Sequence, residues 1–306
     1  MNRRTAVLRV GVAILVTLVI VTAGGCEKES KTPTLPTDPA SRPATVPASG
    51  PAPAPAVAPK AAAILPAAPK PGDMFTNSVG MKFVYVPPGE FRMGSPTNEP
   101  GRHDDELPHT VKISRGFWVG QMEVTQNQWK KVMGFNRAAP EGDDLPASKL
   151  SWAQAFDFCR RLRQADGLAY NLPTEAQWEY ACRAGSKGAY SAGQADDVAW
   201  HMDNSDETPH PVGGKKPNAW GFYDMHGNAA EWCRDFYARD PGSHPIVDPQ
   251  GPAEGTARVV RGGSWGHFPR ACRSAARASF NPAYPLERVG LRVIIQTNHP
   301  GSSPNH

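Results

Sequence analysis

From about residue 75 onward, apolar and polar positions fall into short blocks broken by Gly, Pro, Asn and Asp. Three blocks have helical spacing. Thr125-x-x-Gln128 reads as a capping box, in which side chains at the two ends of the motif satisfy the free amides of a first helical turn, and its segment stops at Gly134. Ser151-x-x-Gln154 opens a second. Trp152, Ala155, Phe156, Cys159 and Leu162 recur there at helical spacing, and Gly167 ends it. Thr174-x-x-Gln177 opens a third, with Trp178, Ala181 and Cys182 on one face and Gly185 as the stop. Short apolar runs predict strands over Lys82–Val86, Thr110–Ile113, Phe117–Val119, Arg258–Arg261 and Leu291–Ile295. The pattern is that of an α+β domain with much irregular structure, and loop-heavy domains usually carry function in their loops.

Composition divides the 306-residue chain. All 8 Trp lie between Trp118 and Trp265, and no aromatic precedes Phe75. Pro (32 residues) is concentrated before that point, with 12 between Lys31 and Pro71. This stretch has too few large apolar residues to bury a core, so residues 26–72 read as a disordered Pro/Ala-rich tether. At about 3.1 Å per residue it would reach on the order of 100 Å. The net charge of +4 also divides. Residues 1–72 hold 8 basic and 3 acidic residues, which leaves −1 for the remainder. The folded part has no positive excess to neutralise phosphates, which argues against nucleic-acid binding.

The first residues resemble an export signal. Arg3, Arg4 and Arg9 precede the apolar run Val10–Ala23, which is short for a membrane span. Small residues then lead to Cys26, as in a bacterial lipobox. The expected organisation is a signal peptide over 1–25, a lipidated Cys26, the tether over 26–72, a domain over 73–296 and a tail over 297–306. The alternative is an uncleaved anchor with Cys26 incidental. Either places the domain outside the cytoplasmic membrane, periplasmic or on the cell surface.

Several groups invite chemistry. Cys159, Cys182, Cys233 and Cys272 allow two disulfides in an exported domain, by any of three pairings. His103-Asp104-Asp105-Glu106-x-x-His109 looks metal-like but reads as a solvated loop, because its ligands lack a fixed helical or strand spacing. Arg270, Arg273, Arg277, Arg288 and Arg292 crowd the C-terminal blocks. They either recognise a carboxylate or acidic glycan, or pair with acids beside the core. No nucleotide loop, Ser-His-Asp order or HExxH motif occurs.

Read together, certain blocks resemble one family. They run from Asn77-Ser78-Val79-Gly80-Met81-Lys82-Phe83 and Pro87-Pro88-Gly89-Glu90-Phe91-Arg92-Met93-Gly94-Ser95 to Glu123-Val124-Thr125 and Leu172-Pro173-Thr174-Glu175-Ala176-Gln177-Trp178-Glu179-Tyr180-Ala181. Asn218-Ala219-Trp220-Gly221-Phe222-Tyr223-Asp224-Met225-His226-Gly227-Asn228, Arg261-Gly262-Gly263-Ser264-Trp265, Arg273-Ser274-Ala275-Ala276-Arg277 and Gly290-Leu291-Arg292-Val293 follow. In this order, across nearly all of 75–296, they resemble the formylglycine-generating enzyme family, or sulfatase-modifying factor domain. The resemblance implies a C-type-lectin-like α+β fold low in regular secondary structure. It also implies oxidation of a cysteine in a Cys-x-Pro-x-Arg motif of sulfatases, with molecular oxygen and copper(I) held by two thiolates.

This chain departs from the family where the copper would sit. Counted without gaps, His267 stands at the first cysteine position and Cys272 at the second. The stretch is a few residues shorter than in the enzymes, and a gap before Cys272 would remove that match too. Arg288 replaces an Asn, and Ala230 replaces a Trp. If activity survives, Ser264, His267 and Cys272 are its residues. The resemblance further implies calcium on the Asp224 side chain, the carbonyls of Gly227 and Ala229, and Glu231, a set of hard oxygen donors. It also matches Cys159 and Cys182 to disulfide-bonded cysteines whose partner positions read Val293 and Ser274 here. Cys272 lies two residues from Ser274, on one face if that segment is extended, which makes Cys182–Cys272 the expected bridge.

The function expected is a monomeric, membrane-anchored sulfatase-modifying-factor-like module without the two-cysteine copper site. It would bind a peptide, an envelope protein or a glycan in the groove around Ser264–Cys272. The alternative is a copper- and oxygen-dependent formylglycine-generating oxidase.

Overall fold

The computed structural model describes residues 64–240, 242 and 245–297. The expected signal peptide, the lipidation site Cys26, most of the tether and most of the tail lie outside these residues. Among the described residues, no helix is long and apolar enough to cross a membrane.

All three capping boxes form as read. α1 (Gln126–Met133), α2 (Trp152–Asp166) and α3 (Glu175–Arg183) each start after a Thr or Ser whose side chain accepts from the amide three residues on. Gly134 and Gly167 end the first two in the left-handed conformation. α3 ends one residue earlier than expected, because Ala184 itself takes the left-handed cap at φ 44°.

The central sheet has the spatial order Met74–Thr76, Lys82–Val86, Phe117–Gly120, Ile294–Gln296, Tyr170–Asn171, all antiparallel. It is covered on both faces, so its strands are apolar at successive positions rather than alternately. Side chains on a strand point to opposite sides in turn. Phe83, Trp118 and Ile295 therefore enter one core with Trp129 and Trp232. Val84, Phe117, Val119 and Ile294 enter a second core with Trp178 and Phe222. α1 and α2 close the first core through Trp129 and Phe158, stacked at 5.3 Å and 4°.

A second sheet joins Ile246–Val247, His109–Ile113 and Gly89–Met93. A third orders Ala278–Phe280, Arg258–Arg261, Ala230–Phe236 and Val289–Gly290, and it presents the loops of the candidate site. The expected strand over Leu291–Ile295 is corrected: a ladder forms only at Ile294–Gln296, with Val289–Gly290 pairing elsewhere. In between, the carbonyls of Leu291 and Val293 accept from Val124 and Gly120, which frees Arg292 to turn inward.

Candidate functional site

The site is built on the turn that follows strand Arg258–Arg261. Gly262 and Gly263 both have positive φ. At Gly263 the need for glycine is also steric: an added Cβ would lie 2.6 Å from Cys272 Sγ. The turn thus lays its backbone directly over the Cys272 thiol. Cys272 is fully buried, and its S–H points at the Phe268 carbonyl at 3.9 Å. Burial pushes this thiol up to about 12, opposed in part by the Ser264 amide, so it is neutral at pH 7.

His267 has a different partner. Its Nδ1 lies 2.7 Å from Ser264 Oγ, and its amide donates to the Ser264 carbonyl at 2.9 Å. Ser264 is fully buried and also accepts weakly from the Gly266 amide at 3.4 Å. Burial, then the charge of Arg288, holds the imidazole below its ordinary value. The structure thus brings Ser264 and His267 together and puts Cys272 behind the turn. A two-coordinate copper(I) site needs two thiolates. An imidazole hydrogen-bonded to a serine and a neutral buried thiol do not fit that requirement.

Beside this turn lies a cavity of about 350 Å³, lined by His103, Val260, His267, Phe280, Leu286 and Arg288 among others. Cys272 is not in its wall, although Gly263 is.

The expected disulfide needs correcting. All four cysteines 159, 182, 233 and 272 are buried free thiols, so Cys182–Cys272 is unbridged. The premise of an extended segment also fails, because Pro269–Cys272 forms a turn of 3-10 helix. His226 lies by both cysteines. Its Nδ1 is 2.7 Å from the Cys272 carbonyl, and its Nε2 is 3.7 Å from Cys182 Sγ. The loop 103–109 is corrected as well. Glu106 is buried and takes a two-pronged contact from Arg273, 2.8 Å and 2.6 Å, while Ser95 Oγ donates to it at 2.7 Å.

The expected calcium residues lie together in the interior. Glu231 accepts from Trp178 Nε1 at 2.6 Å and from Arg292 at 2.8–3.1 Å. Asp224 Oδ2 accepts from the Gly213 amide at 2.6 Å, whereas the buried Oδ1 has no partner. Glu123, not anticipated as a site residue, completes the cluster. It accepts from Asn228 Nδ2 and from the Ala229 amide, both at 2.7 Å. Its sequence signal was its place in the Glu123-Val124-Thr125 block that carries the family resemblance. Burial, then the nearby Asp224 and Glu231, drives the Glu123 carboxyl well above its ordinary value. Burial above all raises Asp224 to about 6. Three buried carboxylates thus face one guanidinium. Among the described residues no three acid, imidazole or thiol side chains converge as a ready metal site. An orphaned buried carboxylate oxygen beside excess negative charge nevertheless fits a hard cation completed by carbonyls.

The sulfatase-modifying factor enzyme 1-like domain model matches residues 70–297. A chaperone protein LppX of Paenibacillus barcinonensis is 30% identical over 203 residues, 49% of this chain and 69% of that protein. The formylglycine-generating enzyme of Streptomyces coelicolor is 29% identical over 74% of this chain and 93% of its own length. Among solved structures, PvdO from Pseudomonas aeruginosa superposes with a TM-score of 0.69 at 28% identity, covering 75% of this chain and all of that one.

Proposed function

The chain belongs to the sulfatase-modifying factor enzyme 1-like domain family, matched over residues 70–297, and on that premise we propose that it is a ligand-binding rather than an oxidising member. Family membership decides neither outcome, since one relative is named a chaperone and another a formylglycine-generating enzyme. The observation that carries the reading is the state of Cys272: neutral, enclosed, and with its would-be partner position filled by a His267 bonded to Ser264. A thiol oxidase needs an accessible thiolate, because the thiolate is both nucleophile and metal ligand. The cavity beside the turn is then the binding site for a peptide or other envelope ligand.

The sequence supports the rest of the reading. Residues 1–25 would direct export, Cys26 would carry the lipid, and residues 26–72 would hold a monomeric domain away from the membrane.

The test is direct. The full chain, reconstituted with copper(I), is incubated in air with a Cys-x-Pro-x-Arg peptide and the product is read by mass spectrometry. No aldehyde is expected. Aldehyde formation that vanishes in Cys272→Ala would replace this reading with the oxidase.

We also propose calcium in the acidic cluster, on Asp224, Glu231 and the Gly227 and Ala229 carbonyls, with Glu123 close by. When bound, the ion would supply positive charge that lets Asp224 and Glu123 ionise. The sign follows from the raised carboxyls. In the ion's absence, the stability they contribute is present at low pH and is lost as pH rises through about 6. The melting temperature in chelator is therefore expected to fall between pH 5 and 7, and calcium to restore it at pH 7 but hardly at pH 5. Equal calcium effects at both pH values, or none, would remove the site.

A further inference from the structure

The C-terminal arginines divide sharply in the fold. Arg273 binds Glu106, Arg277 binds Glu175 through 2.6 Å and 2.8 Å contacts, and Arg292 binds Glu231. Arg270 stacks on Phe268 at 4.7 Å. Arg288, like Arg270, lacks an acidic partner among the described residues, but unlike Arg270 it lines the cavity. Among the described residues its guanidinium has neither a hydrogen bond nor a carboxylate within 4.0 Å, and it lines the 350 Å³ cavity. Its Cζ, Nε and Nη1 occupy the space above Gly266, where an added Cβ would lie 2.3–2.5 Å from them. The guanidinium thus packs against the Gly266 backbone, in space that a side chain at this position would contest.

We propose that Arg288 makes this cavity a recognition site for a peptide carboxylate attached to an apolar residue, which deepens, and rests on, the ligand-binding reading above. A guanidinium presents a planar fork that matches a carboxylate's two oxygens. The charge balance selects the anion. Arg277, also in the wall, is neutralised by Glu175, with Asp105 3.8 Å away. The His267 ring is held below its ordinary value and is uncharged at pH 7. Glu287, the acid in the lining, is exposed to solvent. One uncompensated positive charge suits a monoanion better than a phosphate dianion. The apolar part of the ligand is matched by Ala230, Val260, Ala276, Phe280 and Leu286. The volume is within the range of pockets that hold small groups. The carboxylate can come from a peptide's C-terminus or from an internal acidic side chain.

Three hexapeptide pools with apolar residues at the last three positions separate these sources. One has free C-terminal acids, one has amides, and one has amides with a single Glu at the third position. Each is passed over the immobilised full chain and the retained peptides are read by mass spectrometry. At least one acid-bearing pool is expected to be retained tenfold or more above the plain amides, and the retained pool names the source. Arg288→Gln should abolish that preference while leaving the melting temperature unchanged, and Arg288→Lys should restore it in part. Equal retention of acids and amides, an unaffected Arg288→Gln, or retention of no pool would overturn the proposal. Equal retention leaves the binding-module reading standing, whereas aldehyde formation in the copper assay removes that reading itself.

Discussion

Arg292→Ala is expected to destabilise the domain by about 3–5 kcal/mol, the cost of leaving a buried charge without its partner. The side chain is fully buried. It binds Glu231 and donates to the carbonyls of Gly120 at 2.9 Å and Tyr223 at 2.8 Å. Its loss would leave Glu123, Asp224 and Glu231 facing one another with no cation. Two of these already resist ionisation with Arg292 in place. Urea unfolding in chelator is the measurement. Arg292→Lys should recover only part of the loss, since an ammonium cannot reproduce the fork that reaches a carboxylate and two carbonyls at once. A loss below about 1 kcal/mol, as for an exposed ion pair, would mean that water reaches the cluster.

Glu179→Ala should cost a similar amount, about 3–5 kcal/mol by the same logic. Glu179 is a hub. It accepts from the Gly94 amide at 2.9 Å, from Arg183 Nε at 2.8 Å and from Arg261. Both arginines are buried. Arg261 in turn donates to the carbonyls of Ser274, Ala275 and Ala276, the last of which lines the cavity. Removing the carboxylate would strand two buried guanidiniums, although Glu175 stays 3.7 Å from Arg261. Thermal unfolding reports the loss. Faster amide exchange across residues 274–276 is expected alongside it. Glu179→Gln keeps the shape and removes the charge, so it should fall between the wild type and Glu179→Ala. An unchanged melting temperature in Glu179→Ala would mean that the carbonyls and Glu175 alone compensate Arg261.

The candidate site was only partly legible. The sequence placed His267 where the resemblance expects a cysteine, and the structure sets that imidazole against Ser264 Oγ rather than against Cys272. The solvated reading of residues 103–109 failed because Glu106 meets Arg273 across 167 residues of chain, a contact with no local trace. The expected bridge failed for a related reason. It assumed an extended strand at Cys272, whereas the close approach of Gly263 and the 3-10 turn after Phe268 enclose the thiol instead.

By itself the sequence determined the three helices, the family and the order of the blocks. A capping box closes its hydrogen bonds within four residues and is written where it acts; the left-handed stops at Gly134 and Gly167 rest on local backbone preference and are legible in the same way, whereas the stop at Ala184 is not. Only the tertiary structure decided which charges are spent and which remain. Arg273, Arg277, Arg288 and Arg292 are chemically equivalent in the sequence. Burial penalises an unpaired charge, and partners 61 to 167 residues away compensate three of them. The fourth sits half-exposed over Gly266 with its charge free, and the cavity acquires its chemistry there.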